Sequence, residues 1–323
     1  MAAESTMRAA VVAGPRTTRV ERIGRPDPGP GEVRIRVEGC GVCGSSAPVW
    51  EGRPWFTYPQ AAGAPGHEAW GWIDAVGPDV EGVEVGQRVA AVSYHGFAEY
   101  DVARADSVVP LPPSLAGQPF PGEALGCALN VFRRAGIRRG DVVAVVGIGF
   151  LGAVVTQLAA GAGARVIAIS RRRFALDTAL RLGAAETVPL QDRAETIRQV
   201  HALTGGAGCA RVIEAVGLEE PLNLAAELTC EGGRLVIAGF HQDGTRQIDL
   251  RLWNWRALEV VNAHARDPAA YVQGIRDAVR AVEEGALDPA PLYTHVFGLD
   301  EMDRAFEALA TRPNGFLKAL VVP

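Results

Sequence analysis

A glycine-rich turn follows a continuous apolar segment near the middle of this chain of 323 residues. The segment Val142–Val146 is apolar without alternation, which is typical of a strand buried on both faces of a parallel sheet. It leads into Gly147-Ile148-Gly149-Phe150-Leu151-Gly152, and a helix-like stretch over 150–160 follows. A strand, a G-x-G-x-x-G turn and a helix in this order predict a site for the phosphates of a dinucleotide.

Each glycine of this turn has a separate physical role. Gly147 permits the tight turn, Gly149 lets the backbone approach a pyrophosphate, and Gly152 lets the helix pack closely on the strand. The helix N-terminus offers free N–H groups and a partial positive charge to the phosphates. A glycine-rich turn without a ligand is the alternative interpretation. The candidate cofactor contacts are Gly147, Gly149, Phe150, Leu151, Gly152 and, after later strands, Ala215, Gly217 and Gly239.

Apolar and helix-like segments alternate on the C-terminal side of the turn. Strands are predicted at 165–169, 186–190, 211–216 and 234–238, with helices at 174–182, 192–203 and 219–229 between them. This alternation indicates β-α-β units and a parallel sheet, and right-handed crossovers make such a sheet doubly wound. We therefore predict an α/β dinucleotide-binding domain over residues 131–266.

The chain before this domain is predicted to be rich in β-strands. Short alternating or apolar runs bounded by Gly and Pro lie at 33–37, 70–76 and 87–92. Five prolines between Pro110 and Pro121 suggest a domain boundary. After the repeat, helix-like segments at 267–285 and 299–310 precede a strand candidate at 316–322. We expect residues 267–323 to fold back onto residues 1–130 and to complete that domain.

Charge and hydropathy exclude several classes of partner. The chain has 32 basic and 37 acidic residues, a net charge of −5, and a nucleic-acid partner would favour a basic surface instead. No apolar run reaches the about 18 residues that a membrane span needs. Residues Met1–Arg8 lack the apolar core of a signal peptide. We expect a cytoplasmic protein that binds neither nucleic acid nor membrane.

The five cysteines are spaced irregularly, which argues against a disulfide framework. Cys40 and Cys43 form a C-x-x-C pair. A thioredoxin-like redox pair is one interpretation, although no strand-helix context supports it. The other interpretation is one buried cysteine near one functional cysteine.

Three short motifs before the glycine turn carry side chains that zinc accepts as ligands. They are Gly39-Cys40-Gly41-Val42-Cys43-Gly44-Ser45-Ser46, Gly66-His67-Glu68-Ala69-Trp70-Gly71 and Gly122-Glu123-Ala124-Leu125-Gly126-Cys127. Taken singly, Cys43 fits a small buried hydrophobe, His67 a hydrogen-bonded core or loop histidine, and Glu123 a solvated carboxylate. The order and local sequence of the three motifs favour the metal interpretation.

With these motifs the sequence resembles the zinc-containing medium-chain dehydrogenase/reductase superfamily, nearer to its polyol dehydrogenase branch. The resemblance covers nearly the whole chain. It also rests on Ala75-Val76-Gly77, on Gly86-Gln87-Arg88-Val89, on the turn at Gly147 and on the closing segment Phe316–Val321. The resemblance implies a GroES-like catalytic domain interrupted by a Rossmann domain, with the active site in the cleft between them.

The resemblance also implies a ligand set for one catalytic zinc. Cys43 and His67 match the first two zinc ligands of the family. Glu68 matches the glutamate that binds zinc, or exchanges with water, in polyol-type members. Glu123 matches a glutamate near the third-ligand position, and Cys127, four residues further on, is the less favoured ligand. One zinc per chain is expected, held by Cys43, His67 and one or both glutamates.

The sequence next to these ligands agrees with the family pattern at one position and departs from it at others. Ser45 matches the hydroxyl that relays the proton of the alcohol. Ser46 stands where an aspartate behind the zinc ligands is usual, and Pro48 where many members have a histidine of the proton relay. These departures leave the exit route of the proton open. The lobe that holds a four-cysteine structural zinc is missing between Val89 and Phe97, so no structural zinc is expected.

The implied reaction is hydride transfer between a secondary alcohol and C4 of a nicotinamide, with Ser45 in the chain of groups that removes the proton. Candidate substrate-pocket residues are Trp50, Trp55, Phe56 and His95, for which a structural role in a loop-rich domain is the alternative. The polyol-like glutamates favour a sugar alcohol, a cyclitol or a related substrate. Two rival functions are a zinc-free quinone or enoyl reductase of the same superfamily and a non-catalytic nucleotide-binding protein on this fold.

The end of the second predicted strand bears on the choice of cofactor. NAD-specific domains place an acid there, about 20 residues after the glycine turn, to bind the ribose 2′-hydroxyl. Here Ser170 takes that place and Arg171, Arg172 and Arg173 follow. A serine beside arginines can hydrogen-bond and neutralise a 2′-phosphate, whereas a solvated basic helix turn is the alternative. We predict a preference for NADP(H) over NAD(H), with Ser170 and Arg171 as primary contacts and Arg172 as a secondary one.

The family resemblance further implies a homo-oligomer. Paired Rossmann domains commonly join at the edges of their sheets, which otherwise remain exposed. We expect a homodimer or a homotetramer.

Overall fold

The computed structural model describes residues 6–323, and its internal contacts divide it into two compact units. The first comprises the described residues up to Gly126 together with Asp267–Pro323, and the second is Cys127–Arg266. The prediction about a signal peptide falls partly on residues 1–5, which lie outside the described part of the chain. Among residues 6–323, no helix is both long enough and apolar enough to cross a membrane.

The first stretch of the chain is built mainly from β-strands. The strands are β1 (Thr6–Gly14), β2 (Thr17–Gly24), β3 (Glu32–Gly41), β4 (Ala69–Val76), β5 (Arg88–Ala91), β6 (Tyr100–Arg104) and β7 (Val108–Pro110). Two helices occur, α1 (Ala47–Glu51) and α2 (Gly122–Ala135). The division between the two units falls inside α2, a few residues before the boundary that the sequence predicts.

The second unit alternates strands with helices, as the sequence predicts. Its strands are β8 (Val142–Val146), β9 (Arg165–Ser170), β10 (Glu186–Pro189), β11 (Cys209–Glu214), β12 (Thr229–Ile237) and β13 (Glu259–Asn262). Its helices are α3 (Phe150–Gly161), α4 (Arg173–Arg181), α5 (Arg193–Leu203), α6 (Glu219–Leu228) and α7 (Leu250–Trp255).

These strands form one parallel sheet in the order β10-β9-β8-β11-β12-β13. The chain runs outward from β8 in both directions, so the order reverses between β8 and β11. This is the doubly wound Rossmann arrangement, in which the ligand crevice lies at the carboxyl ends of the strands at the reversal point. The middle of β8 is fully buried, because helices cover both faces of such a sheet. The predicted fold class is confirmed.

The last stretch of the chain returns to the first unit. It contains α8 (Pro268–Glu283), β14 (Tyr293–Gly298), α9 (Met302–Thr311) and β15 (Lys318–Val322). Strand β15 pairs antiparallel with β3, placing Leu320 opposite Gly41 and Val321 opposite Cys40. The C-terminal strand therefore folds back as the sequence predicts.

A mixed sheet organises the first unit, with strand order β14-β15-β3-β4-β5-β7 and β6 also paired with β3. The hairpin β1-β2 forms a separate two-stranded sheet. A β-bridge between Ala9 and Ala98 joins it to the segment before β6. The main core of this unit packs Phe306 of α9 against Phe97 edge-on and against Trp50 in a stack. This is the GroES-like β-rich domain that the resemblance implies.

Candidate metal centre and cofactor-binding loop

Three side chains with ligand chemistry converge in the first unit. One ligand atom each from Cys43, His67 and Glu68 lies within 4.8 Å of the other two. Elsewhere in residues 6–323 no group of three His, Cys, Asp or Glu side chains meets that condition. A thiol, an imidazole and a carboxylate are all ligands that zinc accepts.

The pairing of β3 with β4 brings these residues together. Cys40 near the end of β3 lies opposite Ala69 at the start of β4. In an antiparallel pair, one strand ends at the edge of the sheet where its neighbour begins. The turn after β3 therefore places Cys43 beside the two residues that precede β4. Those residues are His67 and Glu68.

The imidazole of His67 is held in one orientation. Its Nδ1 lies 2.7 Å from the carbonyl oxygen of Pro65 and donates to it. Its Nε2 lies 3.5 Å from the Ser45 hydroxyl, which is itself 3.2 Å from Cys43 Sγ. Nε2 therefore points toward the cysteine and is available to a metal. Metal-binding histidines usually have their second nitrogen fixed in this way.

The electrostatic surroundings favour a positive charge between these groups. Burial by itself lowers the pKa of His67, but the negative charges available at Cys43, Glu123 and Glu68 outweigh burial and raise that pKa to about 10. Surroundings that favour a protonated imidazole also favour a bound cation. The donor set, the orientation of His67 and the local charge all fit one divalent metal ion.

A buried lysine that the sequence did not reveal lies against this cluster. Lys318 and Glu68 are both almost fully buried, and Lys318 Nζ lies 2.5 Å and 2.7 Å from the two carboxylate oxygens. Nζ also donates to the carbonyl of Val42 at 3.2 Å. Burial lowers the pKa of Lys318, but attraction to Glu68 and then to Cys43 outweighs it and raises the pKa. The Glu68 carboxylate therefore contacts Lys318 and also lies close to the Cys43–His67 pair.

Close packing also fixes the Glu68 carboxylate. A Cβ added to Gly41 would lie 1.8 Å from Glu68 Oε2 and 3.0 Å from Lys318 Cε. Only glycine leaves room for the ion pair at this position. Lys318 could have been identified from the sequence, because it is the one charged residue in the otherwise apolar C-terminal segment Phe316-Leu317-Lys318-Ala319-Leu320.

The other predicted ligand, Glu123, is buried in the first turn of α2. Its charge contributes to the raised pKa of both His67 and Lys318, so it lies near the cluster. It does not belong to the group whose ligand atoms lie within 4.8 Å of one another. The assignment of one or both of Glu68 and Glu123 as zinc ligands stays a prediction. Cys127 is half-buried and belongs to the second unit.

The residues that depart from the family pattern have simple structural roles. The hydroxyl of Ser46 is buried without a hydrogen-bond partner among the described residues. It therefore does not support a ligand as an aspartate would, and the Pro65 carbonyl holds His67 instead. Pro48 lies in the first turn of α1, where a missing N–H is tolerated. Cys40 is fully buried, and burial raises the pKa of its thiol well above the usual value; this disfavours a redox pair with Cys43.

The four aromatic candidates for the substrate pocket occupy different environments. Trp50 is buried in the core, stacks on Phe306 at a centroid distance of 5.8 Å and donates its indole N–H to Asp303 at 2.9 Å. That is the structural role given as the alternative. Trp55 is 54% exposed and packs beside Phe56. The imidazole of His95 is half-exposed near Asp101, whose carboxylate accepts the His95 backbone N–H at 3.1 Å.

The glycine turn of the second unit has the close approaches that the motif requires. Gly147 has φ +98°, and a Cβ there would lie 2.5 Å from Val216 Cγ2. A Cβ on Gly152 would lie 2.0 Å from the carbonyl oxygen of Gly147, because α3 packs directly on the turn. A Cβ on Gly149, the N-cap of α3, would meet no atom within 4 Å. The space above Gly149 is therefore open at the helix N-terminus, where Phe150 and Leu151 begin α3.

The serine that ends β9 and the three arginines that follow it have different environments. Ser170 ends the strand, and its hydroxyl accepts the backbone N–H of Arg172 at 3.3 Å. Arg172 Nη2 donates to the carbonyl of Ile148 in the glycine turn at 3.0 Å. Arg171 is exposed, and Arg173 pairs with Asp177 one helical turn later. Arg172 is thus the arginine that reaches the glycine turn.

The remaining candidate cofactor residues lie at the carboxyl ends of β11 and β12. Gly217 has φ +85°, and a Cβ there would lie 2.4 Å from the carbonyl oxygen of Phe240. A Cβ on Gly239 would lie 2.2 Å from the Gly217 nitrogen. Ala215 donates its N–H to the carbonyl of Val146, the last residue before the glycine turn. All three residues therefore lie beside the turn at the reversal point of the sheet.

Comparisons with known proteins agree with this geometry. Residues 29–113 match the family model described as alcohol dehydrogenase GroES-like domain, and residues 151–279 match the model described as zinc-binding dehydrogenase. The chain belongs to the medium-chain dehydrogenase/reductase superfamily. It is accordingly a nicotinamide-nucleotide-dependent oxidoreductase of the alcohol dehydrogenase type.

Individual relatives cover nearly the whole chain. Sorbitol dehydrogenase of Halalkalibacterium halodurans is 26% identical over 93% of this chain and 94% of its own length. A zinc-binding dehydrogenase of Sinorhizobium meliloti 1021, whose structure contains NADP, is 26% identical with a TM-score of 0.83, covering 99% of this chain and 100% of that one. The structure of an NAD-dependent alcohol dehydrogenase is 27% identical with a TM-score of 0.83, covering 98% and 100%.

Replacing Gly152 by alanine tests the packing of the glycine turn. The added Cβ would lie 2.0 Å from a backbone oxygen of that turn, so the turn must shift. We expect the Gly152→Ala variant to bind a reduced nicotinamide dinucleotide about tenfold or more weakly, a loss of about 1.4 kcal/mol, in a fluorescence titration. Gly161→Ala is the matched control, because it lies in the same helix and its Cβ would meet nothing within 4 Å. Equal affinity in both variants would contradict the assigned role of the turn.

Proposed function

We propose that the protein is a zinc-dependent dehydrogenase that transfers a hydride between a secondary alcohol or its ketone and NADP(H). The observation that carries the proposal is the convergence of Cys43, His67 and Glu68 in a chain that also has the dinucleotide turn at Gly147. In this proposal, residues 1–130 and 267–323 form the catalytic domain that binds the metal and the substrate. Residues 131–266 form the domain that binds the cofactor. A cytoplasmic location stays a prediction.

The ligands we propose for the zinc are Cys43, His67 and one or both of Glu68 and Glu123. Zinc bound there would supply Lewis acidity, which lowers the pKa of a bound alcohol and polarises a ketone. Ser45 lies within 3.5 Å of His67 Nε2 and within 3.2 Å of Cys43 Sγ, so its hydroxyl is placed to accept the substrate proton and pass it on. Lys318 forms a buried ion pair with the Glu68 carboxylate and so restricts its position.

The proposed substrate is a polyhydroxylated secondary alcohol such as a sugar alcohol or cyclitol. Glu68 and Glu123 supply the glutamate pattern on which this rests. The similarity to a sorbitol dehydrogenase supports the class, but not a particular compound. A screen of sugar alcohols and cyclitols, followed by absorbance of the reduced nicotinamide, identifies the substrate.

Metal analysis tests the zinc proposal directly. We expect one zinc per wild-type chain, and we expect Cys43→Ser to retain less than about one tenth of it, since a thiolate contributes strongly to zinc affinity. Turnover of the best alcohol should fall in parallel. Cys230→Ser, which changes a cysteine of the second unit, is the control and should keep both zinc and turnover. Two zincs per wild-type chain, or full zinc retention in Cys43→Ser, would refute the site.

The proposed preference for NADP(H) rests on the end of β9. No acid stands there to repel a 2′-phosphate, and Ser170, Arg171 and Arg172 present a hydroxyl and two guanidinium groups at that position. Arginine suits phosphate because its donors are planar and its charge is permanent. Arg172 is anchored to the Ile148 carbonyl and Arg171 is exposed, so Arg171 is the more accessible of the two.

Exchanging these residues should reverse the cofactor preference. We expect the variant Ser170→Asp with Arg171→Ala to lower kcat/KM for NADPH by about tenfold to a hundredfold, since it removes a charge-assisted hydrogen bond and adds a repelling charge. The kcat/KM for NADH should change much less. Arg173→Ala, which removes an arginine paired with Asp177, is the control. A wild type that uses NADH as well as NADPH would overturn the preference.

We also propose a homo-oligomer that joins at the edge strand β13. This strand ends the sheet and has a partner only on its β12 side among the described residues. Large apolar side chains are exposed on and beside it: Val260 is 39% exposed, Leu250 64% and Trp255 85%. An exposed, apolar sheet edge is a surface that proteins normally cover.

Light scattering at micromolar concentration tests the oligomer. We expect wild type to have the mass of a dimer or tetramer and Val260→Asp to shift toward the monomer, because a charge would be buried against the partner copy. Val85→Asp alters an exposed valine of the first unit and should leave the mass unchanged. A monomeric wild type would count against the proposal.

A further inference from the structure

A fully buried glutamate ends the strand next to the glycine turn. Glu214 is the last residue of β11 and has no exposed surface. Its Oε1 accepts the backbone N–H groups of Val216 and Gly217 at 2.6 Å and 2.7 Å. Its Oε2 lies 2.8 Å from His241 Nε2. The carboxylate therefore joins the turn that follows β11 to the loop that follows β12.

Arg246 closes these contacts into a ring. Its Nε donates to His241 Nδ1 at 3.2 Å, and its Nη2 donates to the Gly217 carbonyl at 3.2 Å. The hydrogen bonds then run from Gly217 to Glu214, from His241 to Glu214, from Arg246 to His241, and from Arg246 back to Gly217. Asp243 forms an ion pair with the same guanidinium.

The ring determines the tautomer of His241. An arginine Nε always carries a hydrogen and can only donate, so His241 Nδ1 must accept. The hydrogen of the neutral imidazole therefore sits on Nε2 and is donated to Glu214. With both nitrogens engaged, His241 has no free nitrogen for proton transfer to a substrate. Its role is to hold the backbone segments around it.

The ring lies where a dinucleotide is expected to bind. Glu214 pairs in register with Val146, the residue before the glycine turn, at the point where the strand order reverses. Both backbone groups of Gly217 are hydrogen-bonded inside the ring, so the ring fixes the orientation of this residue. A Cβ on Gly239 would lie 2.7 Å from Glu214 Oε2, so the start of the second loop packs on the same carboxylate.

We propose that His241 is a positioning residue for the nicotinamide cofactor. It locks the turn 215–217 and the loop 239–246 into one wall beside the glycine turn, and cofactor affinity depends on that wall being formed before binding. Preorganised loops bind more tightly because they lose less conformational freedom. The proposal rests on cofactor binding at this edge of the sheet and requires neither zinc nor a particular substrate.

Two amide substitutions separate the two hydrogen bonds of His241. Gln places its amide nitrogen where His has Nε2, so His241→Gln keeps the donor to Glu214. Asn places its amide group where His has Nδ1, so His241→Asn keeps a partner for Arg246 and leaves Glu214 without its side-chain donor. We expect the dissociation constant of NADPH, or of NADH if that cofactor binds better, to rise about tenfold in His241→Asn. In His241→Gln it should stay within about threefold of wild type, a difference of about 0.7 kcal/mol or less.

The variant Arg246→Met is a second test of the proposal. It leaves the Glu214–His241 hydrogen bond intact, and the substituted residue lies in a partly exposed loop. The variant should also weaken cofactor binding, by about fivefold, because the Gly217 carbonyl loses the donor that joins the turn 215–217 to the loop 239–246. Direct binding is measured by fluorescence titration on chains whose urea unfolding transitions show them folded. Equal cofactor affinity in wild type, His241→Asn and Arg246→Met would overturn the proposal.

An affinity loss equal in His241→Asn and His241→Gln would also overturn it, because the donor to Glu214 would then not be the cause. A wild-type chain that binds neither NADPH nor NADH would overturn the cofactor assignment itself and this proposal with it. Loss of zinc or of turnover with unchanged cofactor affinity concerns the proposed function only and leaves the role of His241 intact.

Discussion

The buried ion pair between Glu68 and Lys318 is the contact on which the arrangement of the candidate metal centre depends. It joins residues 250 positions apart and attaches the C-terminal strand to the segment before β4. Lys318 Nζ also donates to the carbonyl of Val42, in the turn that carries Cys43. Removing one member of a buried pair typically costs about 3–5 kcal/mol, because the other charge is left unpaired. The same pair explains why Gly41 has no side chain, since any Cβ there would collide with the carboxylate.

This arrangement also sets the electrostatics of the site. Lys318 provides one positive charge, whereas Cys43, Glu68 and Glu123 are all available as negative ones around His67. The surplus of negative charge raises the pKa of His67 despite its burial, and a divalent cation would balance it. The Pro65 carbonyl fixes the orientation of His67, and the Ser46 hydroxyl has no hydrogen-bond partner among the described residues.

In the second unit, close contacts between backbone segments, rather than charged side chains, determine how the turns around the end of β8 are arranged. Gly147, Gly152, Gly217 and Gly239 each occupy a place where a Cβ would overlap neighbouring atoms, so the turns around the end of β8 fit together only with glycine. Glu214 adds a buried carboxyl group to this packing; His241 is hydrogen-bonded to it, and Arg246 in turn donates to His241. The candidate metal centre and the segments beside the glycine turn each contain a buried carboxyl group with a partner from a distant segment: Glu68 with Lys318, and Glu214 with His241.

The sequence by itself determined the elements with strong periodicity. The apolar strands β8, β9, β11 and β12 and the helices between them follow from local pattern, because strands buried on both faces must be apolar. The half-exposed, polar hairpin strand β2, with sequence TTRVERIG, and the edge strand β13 lack that pattern and were not predicted. The motif residues Cys43, His67 and Gly147 were identifiable because their neighbours in sequence carry the signal.

Only the tertiary structure decided which distant residues meet. Lys318 lies beside Glu68 because β15 pairs with β3, and His241 meets Glu214 because β12 lies next to β11. Trp50 lies in the core because α9 packs against it, a contact that its neighbours in sequence do not indicate. A contact between segments far apart in the chain leaves no trace in local periodicity, since its energy depends on strand register and burial. Those properties exist only once the sheets have formed.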